Sequence, residues 1–462
     1  MPIRIIPPPP GPTIYTDLDS LIEVVRTYPD VDRLALMFEN VLCADTSAKV
    51  FNDARISADR AASILNSPNL SADKAALILA NANLSVDKAA SILNSSNLDA
   101  AKAADIFGSA QMPTTRILDI LSSTNISDDR VQSILYAMAE RKYLTKLVDV
   151  MTHGASSVTL SANTTYSGVN RFRTLDLAGY QYTADGQPHV IVAYEVKDSV
   201  GGGSIVKTAT GGAGGAPGTS PGRGGNGGGG LLIVACVVNV ETIRADGANG
   251  ENGSATGVHW EGHPGGDGLM LVVGSDRPGD GGNGGGVNVG AGGSPGGGGG
   301  GGDDVKAGDG GTIALTSYGS GYELYLDVIR AVVDWWIVNV LGRSPTTTKD
   351  IPNFRGAGGG GGADADGRAD GGGGGGSGGE VIVIADSVTV TTISARGGRG
   401  GNGGNEGGRD AGGGGGGGGV VYVLYTGSAS VSTIDVSGGA GGGGDYSGKP
   451  GTAGTYRVEQ IV

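Results

Sequence analysis

The sequence predicts a multidomain protein in which an N-terminal α-helical array of 14-residue repeats is followed by a β-rich neck and a C-terminal glycine-rich domain. Self-similar 14-residue units recur from Ile56 onward, which is typical of a stacked helical array. Glycine is strongly skewed, because 87 of the 93 glycines lie after residue 200, in runs that alternate with short apolar segments. The predicted parts are 1–20 (proline-rich anchor), 21–154 (helical repeats), 155–205 (β-rich neck) and 206–462 (glycine-rich domain with a helical insert at 322–355).

Composition and charge exclude several classes of protein. The net charge of −14 would repel phosphate groups, so we expect no nucleic-acid partner. The two cysteines, Cys43 and Cys236, imply no disulfide framework. No apolar stretch reaches the roughly 18 residues of a membrane-spanning helix. The N-terminus also lacks the continuous apolar region of a secretion signal, so we expect the chain to fold in the cytoplasm of the cell that makes it.

The first 20 residues combine exposed isoleucines with a run of four prolines. A polyproline segment is stiff and extended, so this head is interpreted as a peg that docks onto a partner protein. A disordered tail is the alternative. The candidate docking residues are Ile3, Ile5, Ile6, Pro7, Pro8, Pro9 and Pro10.

Each 14-residue unit begins with an apolar residue, continues with a capping residue and alanine-rich helix formers, and ends in an asparagine-rich turn. Ser57, Ser71 and Ser85 are predicted N-caps. Helices of about two to three turns are unstable alone, so they must pack on their neighbours through the repeated Ile-Leu pairs. We expect a superhelical array that serves as a spacer or docking module without catalytic residues.

Residues 155–205 carry alternating or clustered β-forming residues, with predicted turns at Asp185-Gly186 and Gly201–Gly203. A second, looser repeat starts at Leu231, Val381 and Val420, where two β-type segments lie between glycine runs. We interpret each of these repeats as a strand pair flanked by extended threefold glycine helices. Only glycine lets such helices pack side by side with backbone hydrogen bonds between them, since a Cβ would hold them apart. A disordered glycine-rich tract is the alternative.

The segment 322–355 interrupts the glycine pattern. It predicts a helix of about four to five turns that ends near Gly342. Its Trp335-Trp336 pair is a large apolar surface for one helix. Such a helix either caps an open face of the glycine domain or presents an exposed docking patch.

Chemical motifs are weak in this sequence. The motif Gly-x-Gly-x-x-Gly recurs, as expected by chance at this glycine content. It never lies at the start of a predicted helix, so nucleotide binding is rejected. Arg396-Gly-Gly-Arg399-Gly-Gly resembles an RNA-binding box, but the surrounding acidity argues against that function. The carboxylates of the acidic loops at Asp303-Asp304 and Asp364-x-Asp366 are interpreted as solvated side chains rather than as calcium ligands. We expect no enzyme activity, no cofactor and no metal.

The most unusual loop is His259-Trp260-Glu261-Gly262-His263, which lies between glycine-rich stretches. An exposed aromatic ring flanked by polar groups is typical of sugar recognition. The candidate receptor-binding residues are His259, Trp260, Glu261 and His263. An ordinary buried tryptophan is the alternative.

The glycine runs give the sequence a family resemblance over roughly residues 201–462. The runs are Gly297–Gly302, Gly356–Gly362, Gly371–Gly379, Gly397–Gly404 and Gly412–Gly419. They resemble the distal adhesins at the tips of T-even bacteriophage long tail fibres, which fold as a sandwich of polyglycine II helices. They are also similar to glycine-rich fibre and spike proteins of bacterial and archaeal viruses. The helical repeats and the insert depart from that pattern.

The resemblance implies a virion structural protein, a tail-fibre or spike subunit that is made in the host cytoplasm and mediates host attachment. The loops of its glycine-rich domain would contact a glycan or a surface protein of the host. Its N-terminal region would dock onto other virion structural proteins. The alternatives are a cellular glycine-rich surface adhesin or filament protein and a polysaccharide-degrading tailspike. A homo-oligomer is possible, although no coiled-coil heptads occur.

Overall fold

The computed structural model of the chain describes residues 17–209, 213, 222–253, 262–302, 305–363, 371–404 and 410–461. These residues form two compact units. The helical unit comprises the described residues up to Lys146 together with Trp336–Thr347, and the glycine-rich unit comprises the remainder. The expected neck therefore lies within the glycine-rich unit, and the end of the expected insert lies within the helical unit.

Ten short helices follow one another in the described residues 17–152. They are α1 (Leu18–Thr27), α2 (Val31–Asn40), α3 (Ala44–Asn52), α4 (Ala58–Asn66), α5 (Ala72–Ala80), α6 (Val86–Asn94), α7 (Ala100–Gly108), α8 (Thr114–Ser122), α9 (Asp128–Glu140) and α10 (Leu144–Thr152). The predicted N-caps are confirmed, because the hydroxyls of Ser57, Ser71 and Ser85 accept backbone hydrogen bonds in the first turns of α4, α5 and α6. Three helices precede Ile56, so the array begins before the repeat is recognisable in the sequence.

Each helix from α1 to α7 packs on the second helix after it along the chain. The apolar residue that begins each unit is fully buried, as in Ile56 and Leu70. A basic residue in the first turn reaches back two units and donates to the carbonyl of that buried residue. These contacts are Lys88 to Ile56, Lys102 to Leu70, Arg116 to Leu84, Arg130 to Leu98 and Lys146 to Met112. We call this series of contacts the polar ladder. The repeat therefore encodes the polar ladder as well as the buried row of apolar side chains.

The segment Trp336–Thr347 continues this ladder at the end of the array. Arg343 donates to the carbonyls of Ser123 and Ile126 and forms an ion pair with Asp128 at 2.9 Å. Ile126 begins a repeat unit, so Arg343 makes the contact that the basic residue of a further repeat would make. Its side chain is only 11% exposed. A residue more than 200 positions away along the chain thus closes the helical pattern.

The glycine-rich unit is built on an eight-stranded, all-parallel sheet in the order β1-β2-β3-β4-β5-β8-β9-β10, with a separate parallel pair β6-β7. The strands are β1 (Val158–Thr159), β2 (Thr164–Asp176), β3 (Gln181–Lys197), β4 (Ser204–Lys207), β5 (Gly230–Arg244), β6 (Gly268–Val273), β7 (Ile313–Tyr318), β8 (Glu380–Ser394), β9 (Val420–Asp435) and β10 (Thr455–Gln460). The expected neck is rich in β-structure, but it is not separate, because β3 pairs directly with β5.

The looser repeat forms single long strands, so the interpretation as strand pairs was wrong. β5, β8 and β9 each run through both expected segments and pair in parallel with the corresponding strand of the next repeat. Residues aligned in this register are alike: Ile243, Ile393 and Ile434 form one buried or half-buried column of the core. Identical columns bury apolar area between repeats that lie far apart in the sequence.

The inward-facing residues of the long strands do not alternate regularly. In β8 the residues that face the core are Val381, Val383, Ala385, Val388, Val390 and Ile393. A flat strand returns to the same face every second residue, whereas two of these steps span three residues. The ladder between β8 and β9 is irregular at the first of these steps, between Ala385 and Ser387. The core-facing positions therefore move by one residue along the strand at these steps, while the strand stays in contact with one core.

The predicted insert helix is present as α11 (Gly321–Asn339). Trp336 is 1% exposed and its neighbour Ile337 is fully buried. Trp335 is half-buried, so the tryptophan pair does not form the exposed docking patch that was one of the two expectations. Among the described residues, no helix combines the length and the apolar character needed to cross a membrane.

Candidate functional site

The glycine segments hydrogen-bond to one another with a period of three residues. In Gly371–Gly379, successive backbone N–H groups donate to three segments in turn, at 2.7–3.1 Å. The acceptor segments are 357–363, 411–417 and 245–251. The carbonyls of the same segment accept from 222–228, 298–301 and 398–401. One extended segment is therefore surrounded by six hydrogen-bonded neighbours, which satisfies its backbone without side chains.

Close approach of the backbones explains the glycine content. A Cβ on Gly374 would lie 2.0 Å from the carbonyl oxygen of Gly298, and one on Gly373 would lie 2.0 Å from that of Arg223. No side chain fits at such distances, so glycine is required at these positions. Side chains buried within these segments are small, as at Ser377, Ala357 and Ala363, and larger ones such as Arg399 occur where a segment faces solvent.

Three neighbouring segments, 246–253, 396–403 and 437–443, form such a solvent-facing layer. They run parallel and are joined by backbone hydrogen bonds at every third residue. Nine positions at every third residue of these segments form three rows, which we call the surface grid. The rows are Asp246, Arg396 and Ser437; Asn249, Arg399 and Ala440; and Asn252, Asn402 and Gly443. Positions three residues apart in an extended threefold chain are about 9 Å apart.

Side-chain oxygens of the grid complete the hydrogen bonding of its backbone. Three backbone N–H groups donate to the side-chain oxygen of the preceding residue in the same row. Arg396 donates to Asp246, Arg399 to Asn249 and Asn402 to Asn252, each at 2.8 Å. In the same way, Gly443 donates to the Asn402 side chain at 2.9 Å. Because the side-chain oxygen of each asparagine accepts a hydrogen bond from the backbone, its Nδ2 is the side-chain atom that can donate to a ligand. No described residue accepts a hydrogen bond from the Nδ2 of Asn249 or Asn252.

A groove with a volume of about 470 Å³ runs along the first two rows of the grid. A second depression of about 370 Å³ continues it past Asn252 and Asn402. Both are lined by glycine backbone and polar or small side chains, and neither lining includes an aromatic residue. The groove can therefore form hydrogen bonds and ionic contacts along an elongated ligand.

The two arginines of the groove differ in their partners. Arg396 forms an ion pair with Asp246 at 3.2 Å and lies 3.7 Å from Asp435, and the hydrogen bond to Asp246 raises the pKa of Arg396. Arg399 is exposed and donates to the Asn402 side chain at 3.0 Å, but it makes no ion pair with a described carboxylate. Among the described residues that line this groove, Arg399 is therefore the cation available to a ligand.

The candidate sites taken from the sequence fall largely elsewhere. His259, Trp260 and Glu261 lie outside the described residues, as do the docking candidates Ile3, Ile5, Ile6, Pro7, Pro8, Pro9 and Pro10. His263 is described and exposed, and its carbonyl accepts the N–H of Gly361 at 2.9 Å. The acidic positions Asp303, Asp304, Asp364 and Asp366 are also outside the described residues. Within the described part of the chain, no group of three or more His, Cys, Asp or Glu could hold a metal ion.

The ends of several described stretches lie together at one end of the glycine-rich unit. Gly222 donates to Gly371, and Ala363 donates to Gly301, at 2.9 and 3.0 Å. Gly372 donates to Ala411 at 2.8 Å.

Two buried titratable groups lie away from the grid. Glu380 is fully buried, accepts the N–H of Leu271 at 3.0 Å, and burial raises its pKa well above the usual carboxyl value. His189 is buried beside Tyr182, and burial lowers its pKa to about 4. Neither group faces solvent, so both belong to the folded core.

The sequence analysis missed the grid, although a signal for it exists. Arg396-Gly-Gly-Arg399-Gly-Gly-Asn402 and Ser437-Gly-Gly-Ala440-Gly-Gly-Gly443 repeat every three residues. That period indicates one exposed face of a threefold chain, whereas the first segment was considered only as an RNA-binding box. Comparisons with protein-family models, curated proteins and solved structures found no match to this chain.

Proposed function

We propose that this chain is a virion structural protein, a tail-fibre or spike subunit that attaches a virus to its host cell through the glycine-rich unit. The observation that carries the proposal is the six-neighbour hydrogen bonding of Gly371–Gly379. The threefold period and the glycine-only approach distances support the inference that these segments are polyglycine II helices. A long, glycine-specific lattice of this kind is the feature on which the resemblance to tail-fibre adhesins rests.

The lattice suits attachment for a physical reason. Its close-packed glycine positions admit no side chain, so its sequence varies most freely at solvent-facing positions and in the connections between its segments. Both can change their chemistry without altering the fold, which is what recognition of varied surfaces requires. Many weak contacts, multiplied by the number of copies on a particle, give firm adhesion without any chemical step.

In this proposal, the N-terminal region attaches the chain to the virus particle. The proline-rich head docks onto other virion proteins, and the helical array acts as the spacer. The ladder of basic side chains stiffens that array, because each unit is tied to the second unit before it. Host contact then falls to the connections of the glycine-rich unit, including the segment with His259, Trp260, Glu261 and His263.

The first experiment locates the chain. Antibodies raised against the full-length protein are used for immunogold electron microscopy on virus particles and on cells from a culture that produces the chain. Labelling of fibres or spikes on particles is the expected result. Labelling confined to the cell surface would overturn the proposal in favour of a cellular adhesin or filament.

The second experiment measures attachment. The purified full-length chain is titrated onto the producing cells, and onto the same cells after protease or periodate treatment. Saturable binding that is lost after one of these treatments is expected. Release of reducing sugars from the untreated cells would instead indicate a polysaccharide-degrading tailspike, and the absence of saturable binding would contradict an adhesive role.

A further inference from the structure

We infer that the groove on the surface grid binds a linear acidic polysaccharide. This inference goes beyond the proposed function, which assigns host contact to the connections at the end of the lattice. It concerns the side of the glycine-rich unit and holds whether or not those connections contact a receptor.

Beside the ion-paired Asp246 and the carboxylate of Glu251, the polar side chains of the groove present hydrogen-bond donors. The oxygens of Asn249, Asn252 and Asn402 are held by backbone N–H groups, so their Nδ2 atoms supply the hydrogen bonds that a ligand can use. Arg399 adds a guanidinium without a carboxylate partner among the described residues. A ligand with repeated acceptor oxygens, above all carboxylate or sulfate groups, complements this arrangement, since charge-assisted hydrogen bonds are the strong ones.

The spacing of these donors favours a polymer. Asn249 and Asn252 are successive outward positions of one segment, and Arg399 and Asn402 are successive outward positions of the next, so donors repeat about every 9 Å along the groove. A glycan with one acidic group per one or two sugar rings presents anionic groups at intervals of the same order. A small ligand would fill only one row, whereas the groove and its continuation cover all three.

The charge balance argues for a sparsely charged glycan rather than a nucleic acid. Asp246 neutralises Arg396, and Glu251 lines the continuation of the groove. A phosphate backbone would meet these carboxylates and the net charge of −14. The lining also lacks the aromatic platforms on which bases or the apolar faces of neutral sugars stack. A polymer with separated anionic groups avoids these penalties and uses the free donors.

The test uses the full-length chain and five soluble polymers. Binding of polygalacturonate, partly methyl-esterified polygalacturonate and hyaluronan, which space their carboxylates differently, is measured by isothermal titration calorimetry at low and moderate salt. Dextran and poly(dT) are the neutral and nucleic-acid probes. We expect at least one acidic glycan to bind with an affinity that falls as salt rises, and no binding of dextran or poly(dT).

The decisive variant is Asn249→Asp combined with Asn252→Asp. Each aspartate keeps the oxygen that accepts the backbone N–H, but it replaces the donor with a negative charge. Asp246 shows that an aspartate fits this column, since it accepts the N–H of Arg396 at the same 2.8 Å. The double variant should therefore fold normally and lose about tenfold or more of its affinity for the acidic glycan.

Arg399→Gln provides a second, independent variant, and Arg26→Gln is its control. Arg26 is a half-exposed arginine of the helical unit, so its replacement removes the same charge outside the groove. Loss of binding in Arg399→Gln but not in Arg26→Gln supports the inference. It is overturned if none of the three acidic glycans binds the wild-type chain, if poly(dT) binds as tightly, or if the groove variants bind as the wild type does.

Discussion

Replacing Gly374 with alanine tests the glycine lattice at its centre. The added Cβ would lie 2.0 Å from the carbonyl oxygen of Gly298, whereas ordinary contacts begin at 3.4 Å. The two segments must therefore separate by about 1.4 Å locally, the difference between these distances. Three hydrogen bonds of 2.8 Å depend on this spacing: Gly298 to Gly375 joins the two segments directly, and Gly374 to Gly360 and Gly360 to Gly298 join each of them to a third segment.

These three bonds set the expected magnitude. At about 1 kcal/mol of net stability each, with the groups left buried and unpaired, their disruption destabilises the unit by roughly 3–4 kcal/mol. Alanine also lowers the entropy of the unfolded chain, which offsets about 0.4–1 kcal/mol of this loss. The net effect is a decrease of roughly 3 kcal/mol in the free energy of unfolding, or about 5–10 °C in the melting temperature of a unit this size.

The assay is differential scanning calorimetry of the full-length chain, together with amide hydrogen exchange of the segment 371–379. Gly443→Ala is the matched control. The nearest atom to a Cβ there is the Asn402 side-chain oxygen at 3.5 Å, so alanine fits without displacement. Equal melting temperatures and equal exchange protection in the two variants would show that close backbone approach does not determine the glycine content.

Three further predictions concern other parts of the chain. Ser85→Ala should destabilise the helical unit by about 1 kcal/mol through loss of an N-cap, whereas Ser91→Ala in the interior of the same helix should be neutral; urea unfolding followed by circular dichroism separates them. Glu380→Gln should raise the melting temperature at pH 8 by an amount that shrinks as the pH falls. The raised pKa means that the folded state binds more protons than the unfolded state, so the wild type loses stability as the pH rises; a constant difference across the pH range would contradict this. Arg343→Met should destabilise the helical unit by about 2 kcal/mol and speed hydrogen exchange in α9, since two carbonyls lose their donor; unchanged exchange would show that Arg343 does not close the array.

Much of the fold was predictable because its signals are local. N-caps such as Ser57 act within one helical turn, so the sequence places the helix starts correctly. The apolar segments starting at Leu231, Val381 and Val420 mark the strands correctly for the same reason. The interpretation of each as a strand pair was wrong, because both apolar segments of a repeat lie on one continuous strand with no turn between them.

The candidate site was less predictable. Sequence reasoning selected the loop around Trp260 for its composition, and that loop lies outside the described residues. The surface grid consists of common polar residues whose meaning depends on their neighbours. Asn249 attracts no attention by itself, and its role follows only from the N–H of Arg399, which lies 150 residues further along the chain.

The sequence by itself determined where helices begin, which segments are strands and which segments need glycine, because caps, apolar patterns and the lack of a Cβ act within a few residues. Only the tertiary structure decided which glycine segments are neighbours, how the strands of separate repeats align, and that Arg343 completes the helical ladder. The physical reason lies in the hydrogen bonds. Almost every glycine segment carries the same donors and acceptors, so its partner is selected by the packing of the whole unit and not by its own residues.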